Sequence, residues 1–259
     1  MMIFDTHAHY DDKRFNADRE DLLKSLPGFG VCNVINAGAD LRGSKQGIAL
    51  ADEYDYIYVA VGIHPHYAES ELKRFGSLEK IREEIINLAS HKKVVAIGEC
   101  GLDYYRNLSP KSTQAEIFRL QLLLAVELDL PVIIHDRDAH KDTLDILKQY
   151  KLRGVMHCFS GSVEMMNELI AMNFHVGIGG VVTFKNSVTI KEVARQIPLE
   201  RLLLETDAPY LAPEPHRGER CNSGMIKFVA EEIADLRGVK SNEILEKTCE
   251  NAKKLFKIL

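Results

Sequence analysis

Eight short apolar runs, each followed by a longer stretch with helical spacing, constrain the fold more than any single residue does. They are MIFDTHAH (2–9), VCNVINAG (31–38), YIYVAVGIH (56–64), KVVAIGEC (93–100), PVIIHDR (131–137), GVMHCF (154–159), FHVGIGG (174–180) and RLLLETD (201–207). Several are continuous in Val, Ile and Leu rather than alternating, the pattern of parallel strands covered on both faces. Helical patterns fill the gaps. Thr113-x-x-Glu116 reads as a capping box opening a helix that stops before Pro131. The last segment repeats Ile244, Thr248, Ala252, Leu255 and Leu259 at helical spacing after Ser241, a candidate N-cap. A strand-helix repeat of roughly 30 residues predicts parallel βα units. Eight such units in 259 residues, with no linker or low-complexity tract, predict an α/β fold, a single-domain (β/α)₈ TIM barrel spanning 1–259.

Composition narrows the partners. A formal net charge of -5 gives no global basic field for gripping long duplex DNA. It leaves room for a small footprint on a nucleic-acid end, where bound cations supply positive charge. No apolar run approaches the roughly 18 residues of a membrane span, and Asp5, His7 and His9 interrupt any secretory signal at the N-terminus. The five cysteines are dispersed, without a C-x-x-C pair. A cytoplasmic protein with reduced thiols is the expectation.

The metal-competent residues cluster at strand ends. His7 and His9 close the first strand, His64 the third, Glu99 the fourth, His135 the fifth, His157 the sixth and Asp207 the eighth. In a barrel of this kind the C-terminal strand ends meet on one rim. A lone strand histidine is usually a satisfied structural residue. Six metal-binding side chains at the same end of different strands are not explained that way. His7, His9, Glu99, His135, His157 and Asp207 over-supply a tetrahedral zinc. They suit two divalent cations about 4 Å apart with Glu99 as the bridge. Imidazole plus carboxylate does not choose between zinc, magnesium and manganese. His66, His91, His140 and His175 are expected to stand outside the set. Cys100 and Cys158 each follow a ligand and are expected to face away from it, into the barrel-helix layer.

DTHAH, GIHPH, GECGLDYYR, IIHDR, HCFSG and LLLETDAPYLAP, in this order, resemble the TatD family of metal-dependent hydrolases, within the amidohydrolase-like barrels, over essentially the whole chain. The resemblance implies divalent-metal-dependent phosphodiester hydrolysis, usually as a deoxyribonuclease acting on DNA ends or another phosphodiester. It assigns His7, His9, Glu99 and Asp207 to one metal and Glu99, His135 and His157 to the other, with His64 as a nearby phosphate contact. The family usually continues Arg-Gly-Lys-Arg-Asn-Glu-Pro after the last strand. Here HRGERCNSG occupies 216–224, so Glu219 replaces the lysine and Ser223-Gly224 replace Glu-Pro. His216 and Arg217 remain as candidate substrate contacts, the arginine fork suiting a phosphate.

On this reading Glu99 and Asp207 are the catalytic carboxylates. Two cations bring a shared water toward ionisation at neutral pH, and Asp207 orients it and takes its proton. Glu205 is a partner behind the ligands or a simple ion-pair residue. Tyr104, Tyr105 and Arg106 either stack on a base and contact its backbone or anchor a loop. The alternative is an amide, ester or lactone hydrolase acting on a small molecule, since the same centre attacks carbonyls and fold does not fix substrate. A non-catalytic binding protein that kept its metals is disfavoured by the intact ligand set.

Overall fold

The computed structural model describes residues 2–258, so the expectation for Leu259 lies outside the described residues. All eight expected strands form: β1 (Ile3–Ala8), β2 (Val31–Ala37), β3 (Ile57–Val61), β4 (Val94–Asp103), β5 (Val132–Arg137), β6 (Gly154–Met156), β7 (Phe174–Ile178) and β8 (Leu202–Leu204). They make one sheet in sequential order, every neighbouring pair parallel. The barrel closes where Ala8 bridges Ala208. There the His9 N–H donates to the Ala208 carbonyl at 2.7 Å and the Asp207 N–H to the His7 carbonyl at 2.9 Å. Closure and candidate ligands therefore share the same backbone.

The helices are α1 (Arg19–Ser25), α2 (Leu41–Glu53), α3 (Ala68–Phe75), α4 (Leu78–Ala89), α5 (Lys111–Glu127), α6 (His140–Leu147), α7 (Val163–Ala171), α8 (Val188–Gln196), α9 (Ile226–Arg237) and α10 (Ser241–Phe256). Two expected helix starts shift. The α5 helix begins at Lys111 after Pro110, so Thr113 lies inside its first turn and turns its hydroxyl to Glu69 Oε2, 3.4 Å away, instead of capping. Proline fixes the entry backbone two residues earlier than the capping box suggested. Ser241 is the first helical residue and Lys240 the cap.

One apolar cluster takes Phe4, Ile35, Ala60, Val95, Ala96, Ile133, Val155 and Leu203 from seven strands and joins them to Cys249, Ala252, Leu255 and Phe256 of α10. The C-terminal helix thus packs on the strands, and its helical periodicity is the record of that contact. A larger cluster lies between the strands and the surrounding helices. Three strands end three residues early: β3 stops at Val61, β6 at Met156 and β8 at Leu204. His64, His157 and Asp207 consequently stand in the connections beyond the strands. Strand β4 instead runs on to Asp103, three residues past the expected end.

Phe256 is buried, with its ring 6.4 Å from that of Phe4. Phe256→Ala is expected to cost about 3–5 kcal/mol of stability. Urea unfolding checks this; a loss below about 1 kcal/mol would remove α10 from the core.

Candidate metal centre

Glu99 sits at the middle of the rim, with its side chain almost fully buried. Its two oxygens face different groups. Oε2 lies 3.3 Å from His7 Nε2 and 3.6 Å from His9 Nε2. Oε1 lies 2.9 Å from His135 Nδ1, 3.5 Å from His64 Nε2 and 3.7 Å from His157 Nε2. Asp207 completes the first group, its Oδ1 being 3.3 Å from His9 Nε2 and 3.8 Å from His7 Nε2. Asp207 holds a positive φ of 61°, a region that non-glycine residues enter uncommonly. All six expected ligands therefore converge. Ligand atoms of His7, His9 and Asp207, of His7, Glu99 and His157, and of His64, Glu99 and His135 each lie within 4.8 Å of one another.

The imidazole orientations fit a cation better than a hydrogen-bond network. His7 Nε2 and His9 Nε2 approach to 3.1 Å, with carboxylate oxygens on the same side. The outer nitrogen of His9 bonds the Ala37 carbonyl at 2.8 Å. That of His157 stands 3.0 Å from Glu205 Oε1, and that of His135 lies 3.1 Å from Asp103 Oδ2. Metal-ligating histidines characteristically hold the second nitrogen in this way, leaving the inner lone pair free. Among the described residues His7 Nδ1 is buried without a hydrogen-bond partner, and His157 Nδ1, although at ion-pair distance from Glu205, makes no well-aligned hydrogen bond. His64 differs. Its Nδ1 accepts from the His66 N–H at 3.1 Å, so its neutral form carries the proton on Nε2, toward Glu99.

Electrostatics follow from that packing. Burial raises the Glu99 carboxyl, but electrostatic attraction to the surrounding imidazoles of His64 and His7 and the His135 and His7 hydrogen bonds outweigh it, leaving the group well below the usual carboxylate range. Burial likewise disfavours charged Asp207, yet His9 and His157 hold it ionised. For His9, burial is overcome by Asp207 and Glu99, which push it up to about 10. For His135, burial is overcome by Asp103 and Glu99, and it rises to about 9. His64 falls well below its ordinary value through burial and the His135 charge.

Two residues escaped the sequence reading. Asp103, fully buried, accepts from His135 as above, lies 2.8 Å from His66 Nε2 and accepts the Arg106 N–H at 2.7 Å. Its signal was the i, i+4 spacing from Glu99 on one strand face, visible only with the strand extended through Asp103. His66, expected outside the set, is instead tied to the centre's edge through Asp103. Glu205 is the partner behind His157, and Gly177 on β7 is what admits it: a Cβ there would collide with Glu205 Oε2. Gly101 has a parallel role on β4, where φ is 146° and a Cβ would run into the His135 carbonyl.

Several expectations are corrected. Cys100 is buried, with Sγ toward the Ile133 carbonyl, but Cys158 does not face away. Its Sγ lies within 4.8 Å of ligand atoms of His157 and Glu205. Strand alternation no longer applies past Met156, and Cys158 takes a positive φ of 44°. Burial and the Asp207, Glu205 and Glu99 carboxylates push its thiol well up, so it stays protonated. His216 pairs with Glu219 at 2.9 Å and packs near Phe228, while Arg217 lies 4.3 Å over the Phe184 ring. Neither touches the cluster. His91 pairs with Asp52 and His140 with Asp136. The altered 216–224 loop has a structural use: Ser223 Oγ bonds Asp5 Oδ2 and the Tyr10 hydroxyl, both at 2.7 Å. Asp5, beneath His7 on β1, is raised to about 7 by burial against the Ser223 and Thr206 bonds.

A family model for TatD-related DNases matches residues 4–257. The chain belongs to the TatD-related DNase family. TatD relatives align end to end. The metal-dependent hydrolase YabD of Bacillus subtilis is 44% identical over 99% of this chain and 100% of its own length. The 3'-5' ssDNA/RNA exonuclease TatD of Escherichia fergusonii is 36% identical over 99% of both chains. The crystal structure of YJJV, a TatD homologue from Escherichia coli, superposes with a TM-score of 0.91 at 30% identity, covering 99% of this chain and 98% of that one. The chain is thus a TatD-family metal-dependent hydrolase on a TIM barrel. Among the described residues no helix is long and apolar enough to cross a membrane.

Asp103→Ala is expected to lower affinity for a divalent cation about 10- to 100-fold, read by competition with a chelating dye; unchanged affinity would deny Asp103 its hold on His135. The raised His9 and His135 values mean that both carry protons at pH 7 in the metal-free protein. Ligation needs neutral imidazoles, so zinc loading at pH 7 should release protons and weaken steeply on acidification. A pH-indicator titration showing no release would contradict the ligand assignment. In the metal-free fold the same shifts are stabilising below the ordinary value of 6.5, and that stabilisation is lost as pH rises through about 9 to 10.

Proposed function

We propose that this chain is a phosphodiesterase acting on nucleic-acid ends, with two divalent cations bridged by Glu99. The observation that carries the reading is the division of the Glu99 oxygens, Oε2 toward His7 and His9 and Oε1 toward His135 and His157. His7, His9, Glu99 and Asp207 would hold one cation, and Glu99, His135 and His157 the other. Zinc, magnesium and manganese all suit this donor set. When bound, such cations supply Lewis acidity toward a phosphoryl oxygen and bring water toward ionisation at neutral pH. The name of the Escherichia fergusonii relative, a 3'-5' ssDNA/RNA exonuclease, supports a single-stranded nucleic acid as substrate.

The chain's own groups divide the remaining tasks. Asp207, kept ionised and with its side chain 19% exposed, is placed to accept the proton of an attacking water. His64, neutral with its proton on Nε2, donates to a phosphoryl oxygen that displaces Glu99 as its acceptor. Glu205 and Asp103 keep the imidazoles of His157 and His135 in register. Arg217 and His216, on the exposed loop after Asp207, meet outlying phosphates.

Purified protein is expected to hydrolyse a generic phosphodiester and a short single-stranded oligonucleotide, to lose both activities with chelator, and to regain them with added divalent metal. Turnover of an activated ester without either phosphodiester would overturn the proposal. Glu99→Ala should abolish turnover, whereas His64→Ala should keep its metal and lose about 10- to 1,000-fold in kcat/KM. Loss of metal by the His64 variant would move that residue into the ligand set.

A further inference from the structure

The loop after β4 carries a feature that the metal centre does not use. Tyr105 is 59% exposed. The guanidinium of Arg137 lies 4.0 Å over its ring, and that of Arg106 is 5.9 Å from the same centroid. Among the described residues neither arginine makes an ion pair, although carboxylates are abundant on this acidic chain. Tyr104 is different: its hydroxyl bonds Asp142 and Lys111 covers its ring, so it anchors the loop.

The placement of Tyr105 is fixed by the centre itself. On β5, Arg137 is two residues beyond His135, and it pairs in register with Asp103 of β4. The Tyr104 N–H bonds the Arg137 carbonyl at 2.9 Å, and the Arg106 N–H bonds Asp103 Oδ1. Asp103 therefore holds His135 with one oxygen and the Tyr105 loop with the other. Side chains two apart on a strand project to the same face, so Arg137, exposed as the last residue of β5, stands on the His135 side of the strand.

We infer that Tyr105 and Arg137, with Arg106, form a platform for single-stranded nucleic acid at the lip of the centre, the ring stacking on a base and the guanidiniums meeting the flanking phosphates. An exposed ring offers a π-face to any base, and unpaired arginines offer forks to phosphate. A ligand that uses both has planar uncharged rings spaced by anions, which describes a single strand. Base edges are not read, so recognition is sequence-tolerant. The inference rests on the phosphodiesterase reading and adds the residues that grip the strand.

The chain has no tryptophan, so Tyr105→Trp makes one fluorophore at the proposed platform. Metal-free protein held in chelator is titrated with a labelled single-stranded hexanucleotide and with its abasic counterpart. The wild type is expected to bind the hexanucleotide saturably and Tyr105→Ala about tenfold more weakly. Tyr105→Trp should restore binding, its emission quenched by the hexanucleotide and not by the abasic strand. Arg137→Gln should reduce the salt dependence of binding by about one counterion. No saturable binding by the wild type, equal binding by Tyr105→Ala, or equal quenching by the abasic strand overturns the inference. Metal-loaded hydrolysis separates the two claims. An oligonucleotide cleaved normally by Tyr105→Ala sinks the platform and leaves the phosphodiesterase standing. Intact binding without cleavage by the loaded wild type does the reverse.

Discussion

A carboxylate buried among five imidazoles is the constraint on which the rest of this molecule depends. Glu99 is within 3.7 Å of nitrogens from His7, His9, His64, His135 and His157. A charge removed from water at that depth is tolerated only when paired. The pairing comes from four other strands or their connections, so the electrostatics of one side chain require the whole barrel to close in register. The closure at Ala8 and Ala208 lies between His7, His9 and Asp207, and the same backbone hydrogen bonds serve both purposes. A cation replaces repulsion between convergent nitrogens with coordination, which is why the arrangement fits a metal more naturally than a proton network.

Behind this ring stands a second one. Ala37, Asp103 and Glu205 each stand at the outer nitrogen of one imidazole. Glycines make room for it: Gly177 admits Glu205, and Gly101 lets β4 pass the His135 carbonyl. The altered loop after the last strand belongs to the same support. Ser223 bonds the buried Asp5 below His7, so the departure from the usual family sequence in this region changes what steadies β1 and leaves the ligands in place.

The barrel and the convergence of the six candidate ligands were legible in the sequence because both are written in periodicity. Eight apolar runs gave the strands, and residues at their C-terminal ends had to share a rim. Legibility failed where strand length changed. Asp103 was hidden because β4 continues three residues past Cys100, and Cys158 was misplaced because β6 stops two residues short of it. Alternation is a rule about strands, and strand ends are decided by partner register, which a single sequence does not display. His66 was set aside with the turn at Pro65, yet a short 3₁₀ turn there (Pro65–Tyr67) carries its ring to Asp103. His216 and Arg217 were chosen by position after the last strand; they stand outside the ligand cluster, beside Glu219, Phe228 and Phe184, and their part in holding substrate is a proposal.

The proposed bridging of two cations by Glu99 is open to direct measurement. Anomalous diffraction from crystals soaked in zinc or manganese, collected at the metal edge, measures this directly. The account predicts two peaks on opposite sides of the Glu99 carboxylate, one among His7, His9 and Asp207 and the other between His135 and His157. A single peak, or two peaks that do not share Glu99, would contradict it.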